Sequence, residues 1–243
     1  MQYDGRMKSL KLRRTVKRLR KHAPSLRDVL MLGIGALVVL GAMRLMHRQQ
    51  EPANLPLAAG QVASVDITWI PESVRRWDAL MNEMGRKYDI DPDLLAIIMT
   101  IESGGNPKAE SHVGARGLMQ VTPPTAGDIA KKYLKQPRGD YDLFDPRTSV
   151  EFGAAYLALL RKEFGTPEQA PSWNSTVELI AAGYNGGPSA AAAIDKGEGL
   201  ENLETLSYSR DAFNMWRERK SATSPTYQRW LERGGGSLVD SAR

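Results

Sequence analysis

The chain has no cysteine in its 243 residues. Disulfides, thiolate zinc sites, cysteine nucleophiles and a lipidated N-terminal cysteine are thereby excluded. Histidine is nearly as scarce. His22, His47 and His112 are scattered and offer no metal-ligand spacing, so neither a metal nor a cofactor is expected. No polar–apolar alternation runs long enough for a large sheet, and no internal repeat occurs. No uncharged apolar run reaches the roughly 20 residues that a membrane-spanning helix ordinarily uses. What remains is a globular composition, 42% hydrophobic and 25% charged, with enough chain for one good-sized domain and extensions.

Charge is unevenly spread. Residues 1–50 carry twelve Lys/Arg against two Asp/Glu, and residues 51–243 carry 21 against 26, so the net +5 divides into +10 and −5. The basic character belongs to an arm over residues 1–28. There Leu12, Val16 and Leu19 recur at helical spacing among Lys and Arg. The arm suits an anionic lipid surface or nucleic acid, or is a solvated charge run that only sets topology. Residues 29–43 hold 15 uncharged residues, and extension to Met46 with Arg44 reaching toward the surface makes 18. We read 29–46 as a single transmembrane helix or uncleaved signal anchor; a signal-peptide core is the alternative. Ten Lys/Arg precede Val29, which predicts a cytoplasmic N-terminus and a periplasmic remainder, with the chain in the inner membrane.

Residues 47–65 are polar, aperiodic and rich in Ala, Pro and Gly, and are read as a linker. From residue 72 the pattern is helical. Val74, Trp77, Leu80, Met81, Met84 and Tyr88 mark one face of a single helix. A second helix starts at DPDLLAIIMTIE, with Asp91 as cap, Pro92 at the first helical position and Asp93 in the first turn. Its apolar residues surround most of the axis, so it is expected to be the central buried helix. Further helices are predicted near 124–134, 148–164, 176–183, 188–195 and 208–219. The fold class is mainly α, with a domain over 66–233 and a frayed tail over 234–243.

That central helix ends on a lone carboxylate, Glu102, and then breaks into Ser-Gly-Gly-Asn-Pro. Apolar surroundings and the negative end of the helix dipole both disfavour the ionised form. A carboxyl that keeps its proton near neutral pH suits a general acid. Position alone also fits a partly exposed glutamate at a helix end.

Four further elements follow in order across residues 77–215. Glu102-Ser103, Asn106-Pro107, Gly117-Leu118-Met119-Gln120 and Pro124-Thr125-Ala126 form the first. Asp145-Pro146 with Gly153 and Tyr156-Leu157 form the second, Ala182 to Pro188 the third, and Glu204-Thr205 with Tyr208 the fourth. Together they resemble the soluble-lytic-transglycosylase type of the lysozyme-like superfamily. Gly183 and Gly186 stand where that family usually has alanine, and Ser149 where it usually has asparagine.

The resemblance implies a lysozyme-like transglycosylase domain that cleaves the β-1,4 bond between N-acetylmuramic acid and N-acetylglucosamine in peptidoglycan, leaving a 1,6-anhydromuramic acid end. It implies Glu102 as acid and then base, Tyr184 hydrogen-bonded near it and Ser103 beside it, with both Ser103 and Tyr184 in contact with the glycan. Met119, Gln120, Asn185 and Tyr208 would line the glycan groove, with Gly117 and Glu204 in support. Met119 is equally read as core filler, Leu118 as core, and Glu204 as a helix buttress. Several settings fit: a membrane-anchored enzyme of the periplasm, a wall-opening enzyme of a secretion or conjugation system, or a phage virion protein acting at genome entry. A hydrolytic muramidase and a non-catalytic glycan-binding module are the competing classes, each with the same partner, the glycan strand.

Overall fold

The computed structural model describes residues 64–137, 139, 141–164 and 176–243. The basic arm, the apolar run 29–46 and nearly all of the linker 47–65 lie outside the described residues. Among the described residues no helix is long and apolar enough to cross a membrane.

The described part is helical, with isolated bridges joining Glu110, Arg116 and Val121 in one loop. The helices are α1 (Glu72–Arg75), α2 (Asp78–Tyr88), α3 (Pro92–Ser103), α4 (Pro123–Ile129), α5 (Pro146–Phe164), α6 (Thr176–Gly186), α7 (Pro188–Asp195), α8 (Leu203–Glu218), α9 (Pro225–Trp230) and α10 (Gly236–Ser241). A π-type turn, Ala130–Leu134, extends α4, and another, Leu231–Gly235, joins α9 to α10.

Helix α3 forms where its sequence says it should. Asp91 accepts the N–H of Asp93 at 2.8 Å, and Gly104 closes the other end with φ +60°. Residues 94–100 are all fully buried, so α3 is the axis of the core. Helices α2, α8 and α1 pack on it, and α6 packs between α5, α7 and α8. Pairs Arg147–Glu83 (2.7 Å) and Arg161–Asp89 (2.6 Å) fasten α5 to the α2 side.

Two expectations are corrected. The helix expected to run unbroken from 72 to 88 is split at Arg76–Trp77, where Trp77 leaves helical geometry with ψ 8°. Its indole N–H donates to the Gly105 carbonyl at 3.1 Å. The side chain is thus anchored on the break after α3, which local periodicity does not reveal.

The tail 234–243 is not frayed. Gly234 takes φ +121°, and Gly235 lies so close to the Trp230 indole that a Cβ there would stand 2.3 Å from the ring. The Gly-Gly-Gly run is therefore a turn that folds the chain back over Trp230. Helix α10 follows, with Val239 buried in the core.

The other end of the described chain is also tied in. The Asp66 N–H donates to Asp93 at 2.8 Å, Trp69 donates to the Glu218 carbonyl at 3.2 Å, and Trp69 packs on Tyr227.

Candidate active site

Glu102 sits in the last turn of α3, partly exposed. Tyr208, from the middle of α8, donates its hydroxyl to Glu102 Oε1 at 2.6 Å. Burial pushes the Glu102 carboxyl up to about 7; the Tyr208 bond pulls it down, and the charge of Glu204 pushes it up. Burial and the neighbouring Glu102 charge raise the phenols of Tyr184 and Tyr208 well above their usual range, so both stay protonated donors.

The loop facing the end of α3 is held by backbone and small side chains. The Ser103 hydroxyl, fully buried, donates to the Leu118 carbonyl at 2.7 Å and accepts the Gly105 N–H at 3.2 Å. Gly117 has φ +74°, and a Cβ there would lie 1.9 Å from the Leu143 carbonyl oxygen. Ser149 accepts the Met119 N–H at 3.1 Å, and Tyr184 donates to the Met119 carbonyl at 2.8 Å. Gly153 gives room to Met119, whose side chain would be 2.7 Å from any Cβ at that position. Gln120, at φ +45°, donates from Nε2 to the carbonyls of Ala109 and Gly117, both at 3.0 Å. The loop is thus held by its own backbone and by side chains of α3, α5 and α6, which fixes its shape next to the end of α3.

Over residues 79–202 the chain matches the family model described as Transglycosylase SLT domain. This chain belongs to the transglycosylase SLT domain family. The "Membrane-bound lytic murein transglycosylase C" of Glaesserella parasuis is 36% identical over 135 residues, which is 54% of this chain and 36% of that protein. Its namesake in Cronobacter sakazakii is 31% identical over 176 residues, 68% of this chain and 48% of that protein. The chain thus spans less than half the length of these curated relatives. The 70 kDa soluble lytic transglycosylase of Escherichia coli aligns at 26% identity over 63% of this chain and 28% of its own, with a TM-score of 0.43.

The expected site residues divide into two groups, with Glu204 and Tyr208 lying just beyond the matched span of this SLT family member. Glu102, Tyr208, Tyr184 and Glu204 converge: Tyr208 by contact, Tyr184 and Glu204 through the charge of Glu102. Asn185 is exposed, and its side-chain oxygen accepts from Thr205 at 2.7 Å. Glu204 is exposed in the first turn of α8, whose N-terminus is capped by Asn202.

Ser103 and Met119 do not line a groove, because both are fully buried. Ser103 pins the loop to α3, and Met119 is core. Tyr184 does not hydrogen-bond Glu102, because its hydroxyl satisfies the buried Met119 carbonyl instead. The partner of the carboxyl is Tyr208.

Three contributors escaped the sequence reading: Ser149 on the Met119 N–H, Thr205 on Asn185, and Tyr208 as direct partner rather than groove wall. The helix predicted near 208–219 left Thr205 outside it, whereas α8 starts at Leu203. Thr205 and Tyr208 are three apart on a helix, so they share a face.

The Gly183 and Gly186 departures are filled by packing. A Cβ would stand 2.7 Å from Leu160 at the first and 2.7 Å from Thr205 at the second. Both glycines lie in α6, where they let α5, α7 and α8 approach closely.

The Tyr208 bond is to the charged form of Glu102, so removing it raises the pKa. For Tyr208→Phe we expect the Glu102 titration midpoint to move from about 7 upward by roughly one unit. Carbon-13 NMR of labelled glutamate side chains reads it, and a midpoint that stays or falls would contradict the geometry.

Proposed function

We propose that this chain is a peptidoglycan lytic transglycosylase with Glu102 as the catalytic residue. The observation that carries the reading is a carboxyl whose pKa burial raises to about 7, met by a phenol at 2.6 Å. Family membership and the names of the lytic murein transglycosylase relatives support it. Glu102, protonated, gives its proton to the oxygen bridging N-acetylmuramic acid and N-acetylglucosamine. The bond from that oxygen to the muramic C1 breaks, and the N-acetylglucosamine end departs as an alcohol. The muramic C6 hydroxyl oxygen then bonds to C1 and returns its proton to the Glu102 carboxylate.

Atoms balance without water, and one carboxyl serves both steps, whereas most glycosidases need two. The nucleophile is already tethered to the reacting sugar, which supplies effective concentration. Tyr208 steadies the carboxylate that appears between the two proton transfers; a hydrogen bond to a charged group is worth about 1.5–3 kcal/mol. Gln120, Tyr184 and Asn185 are proposed to border the glycan. Of these, Asn185 is the exposed one, with its oxygen held by Thr205. The proposed setting is a single-pass anchor through 29–46 with the enzyme on the periplasmic side. Ten basic residues before Val29 and the membrane-bound names of the relatives support that setting.

Mass spectrometry of sugars released from purified sacculi tests the reaction. Products ending in 1,6-anhydromuramic acid, lighter by one water than hydrolytic ones, are expected. Products carrying the extra water would make the chain a muramidase.

A further inference from the structure

Residues 231–243 lie beyond the matched family span, yet they touch both helices that build the site. On one side Arg233 reaches α8. Its guanidinium donates to Ser207 Oγ at 3.1 Å and to Asp211 Oδ2 at 2.7 Å. Ser207 immediately precedes Tyr208, and Ser207 and Asp211, four apart, share one helical face. On the other side α10 lies on the end of α3. Gly104, two residues after Glu102, has φ +60°, and a Cβ there would stand 2.7 Å from the Leu238 carbonyl carbon and 2.8 Å from the Val239 nitrogen. Arg76 adds a bond to the Ala242 carbonyl, and Ser73 donates to the Gly104 carbonyl at 2.6 Å from the α1 side. The C-terminal segment therefore spans from the helix carrying Tyr208 to the helix end carrying Glu102.

We propose that residues 231–243 form a clamp that holds Tyr208 against Glu102, with Arg233 as a positioning residue that acts through Tyr208. The inference rests on the reading of Glu102 as proton donor. A 2.6 Å O–H···O bond is short-range, so a shift of α8 by a few tenths of an ångström stretches it toward the edge of useful geometry. The clamp is built where such a shift would occur: one end grips the residue before Tyr208, and the other abuts the glycine after Ser103. The Arg233–Asp211 pair is itself partly exposed and contributes little to global stability. Its loss therefore separates positioning from folding.

The titration of Glu102 reads the clamp directly. The groups that face the carboxyl are Tyr208 and Glu204 from α8 and Tyr184 from α6. Two failures of the clamp move the carboxyl in opposite directions. Losing the Tyr208 bond raises the midpoint, whereas merely letting water in lowers it. In the full chain, Arg233→Ala should raise the Glu102 midpoint by about 0.5 unit while leaving the thermal midpoint within about 2 °C of wild type. A chain ending at Trp230 should raise it by about one unit. If that shorter chain does not fold, Arg233→Ala decides alone. In a Tyr208→Phe background, Arg233→Ala should add nothing. A midpoint that is unmoved or lowered in folded Arg233→Ala, or a shift that persists without the Tyr208 hydroxyl, overturns the clamp. Failure of the functional reading looks different: no cleavage of sacculi by the wild-type chain, with the titrations unaffected.

Discussion

Glu102→Gln should abolish most cleavage of sacculi, with a loss of at least ~10²–10⁴ in rate, the range ascribed to general acid–base catalysis. Glutamine keeps the shape of the side chain and still accepts the Tyr208 hydroxyl through its carbonyl oxygen. It has no proton to deliver and no carboxylate to take one back. The fold should not suffer. The wild-type carboxyl titrates near 4.5 when unfolded and at about 7 when folded. Unfolding between those pH values therefore releases a proton, and the stability of the wild type falls as pH rises through that window. Below pH 4.5 the two proteins should be equally stable; at pH 8 the glutamine variant should be ahead by about 1–3 kcal/mol. Glu178, pushed up to about 7 by burial, gives both proteins a slope of the same sign, so the difference between their urea unfolding curves isolates Glu102. A variant that cleaves at the wild-type rate would remove Glu102 from the chemistry.

Gly117→Ala should destabilise the chain by about 3 kcal/mol or more. Two costs combine. The backbone at φ +74° disfavours any side chain, and the new methyl would start 1.9 Å from the Leu143 carbonyl and 2.7 Å from Ser149 Oγ. Neither neighbour is a flexible tip. The carbonyl is main chain, and the Ser149 hydroxyl is committed to the Met119 N–H. The relief open to the loop is to swing away from α5, which would undo the Ser103–Leu118 and Tyr184–Met119 bonds that fix its shape next to the end of α3. Activity should fall with stability, and the urea midpoint should fall while the slope is kept. A midpoint within experimental error of wild type would mean that the loop is not locked at Gly117.

Features governed by neighbours in sequence were legible in advance. Asp91, Pro92 and the apolar run announced α3, and Glu102 at its end announced a carboxyl under pressure. Features governed by distant parts of the chain were not. The break at Trp77 depends on a carbonyl 28 residues away. The Gly-Gly-Gly run reads locally as a frayed end, and becomes a turn only because Trp230 offers it a flat surface. Ser103 and Met119 are polar and flexible types that a groove would accept. Their burial is decided by the loop returning from Gly117 and by α5, which supplies Ser149 and Gly153. The exchange of roles between Tyr184 and Tyr208 has the same origin. Two tyrosines from two helices reach the same corner, and the buried carbonyl of Met119 takes one of them.

The central claim is that Glu102 keeps its proton to about neutral pH and that this proton is the one delivered. The release of 1,6-anhydromuropeptides from purified sacculi by the full chain, measured from pH 3 to pH 9, tests it most directly. The acid form is required, so release should decline as pH rises through about 7, the value to which burial brings Glu102. A rate that declines instead near the ordinary glutamate value of 4.5, or stays level to pH 9, would contradict it.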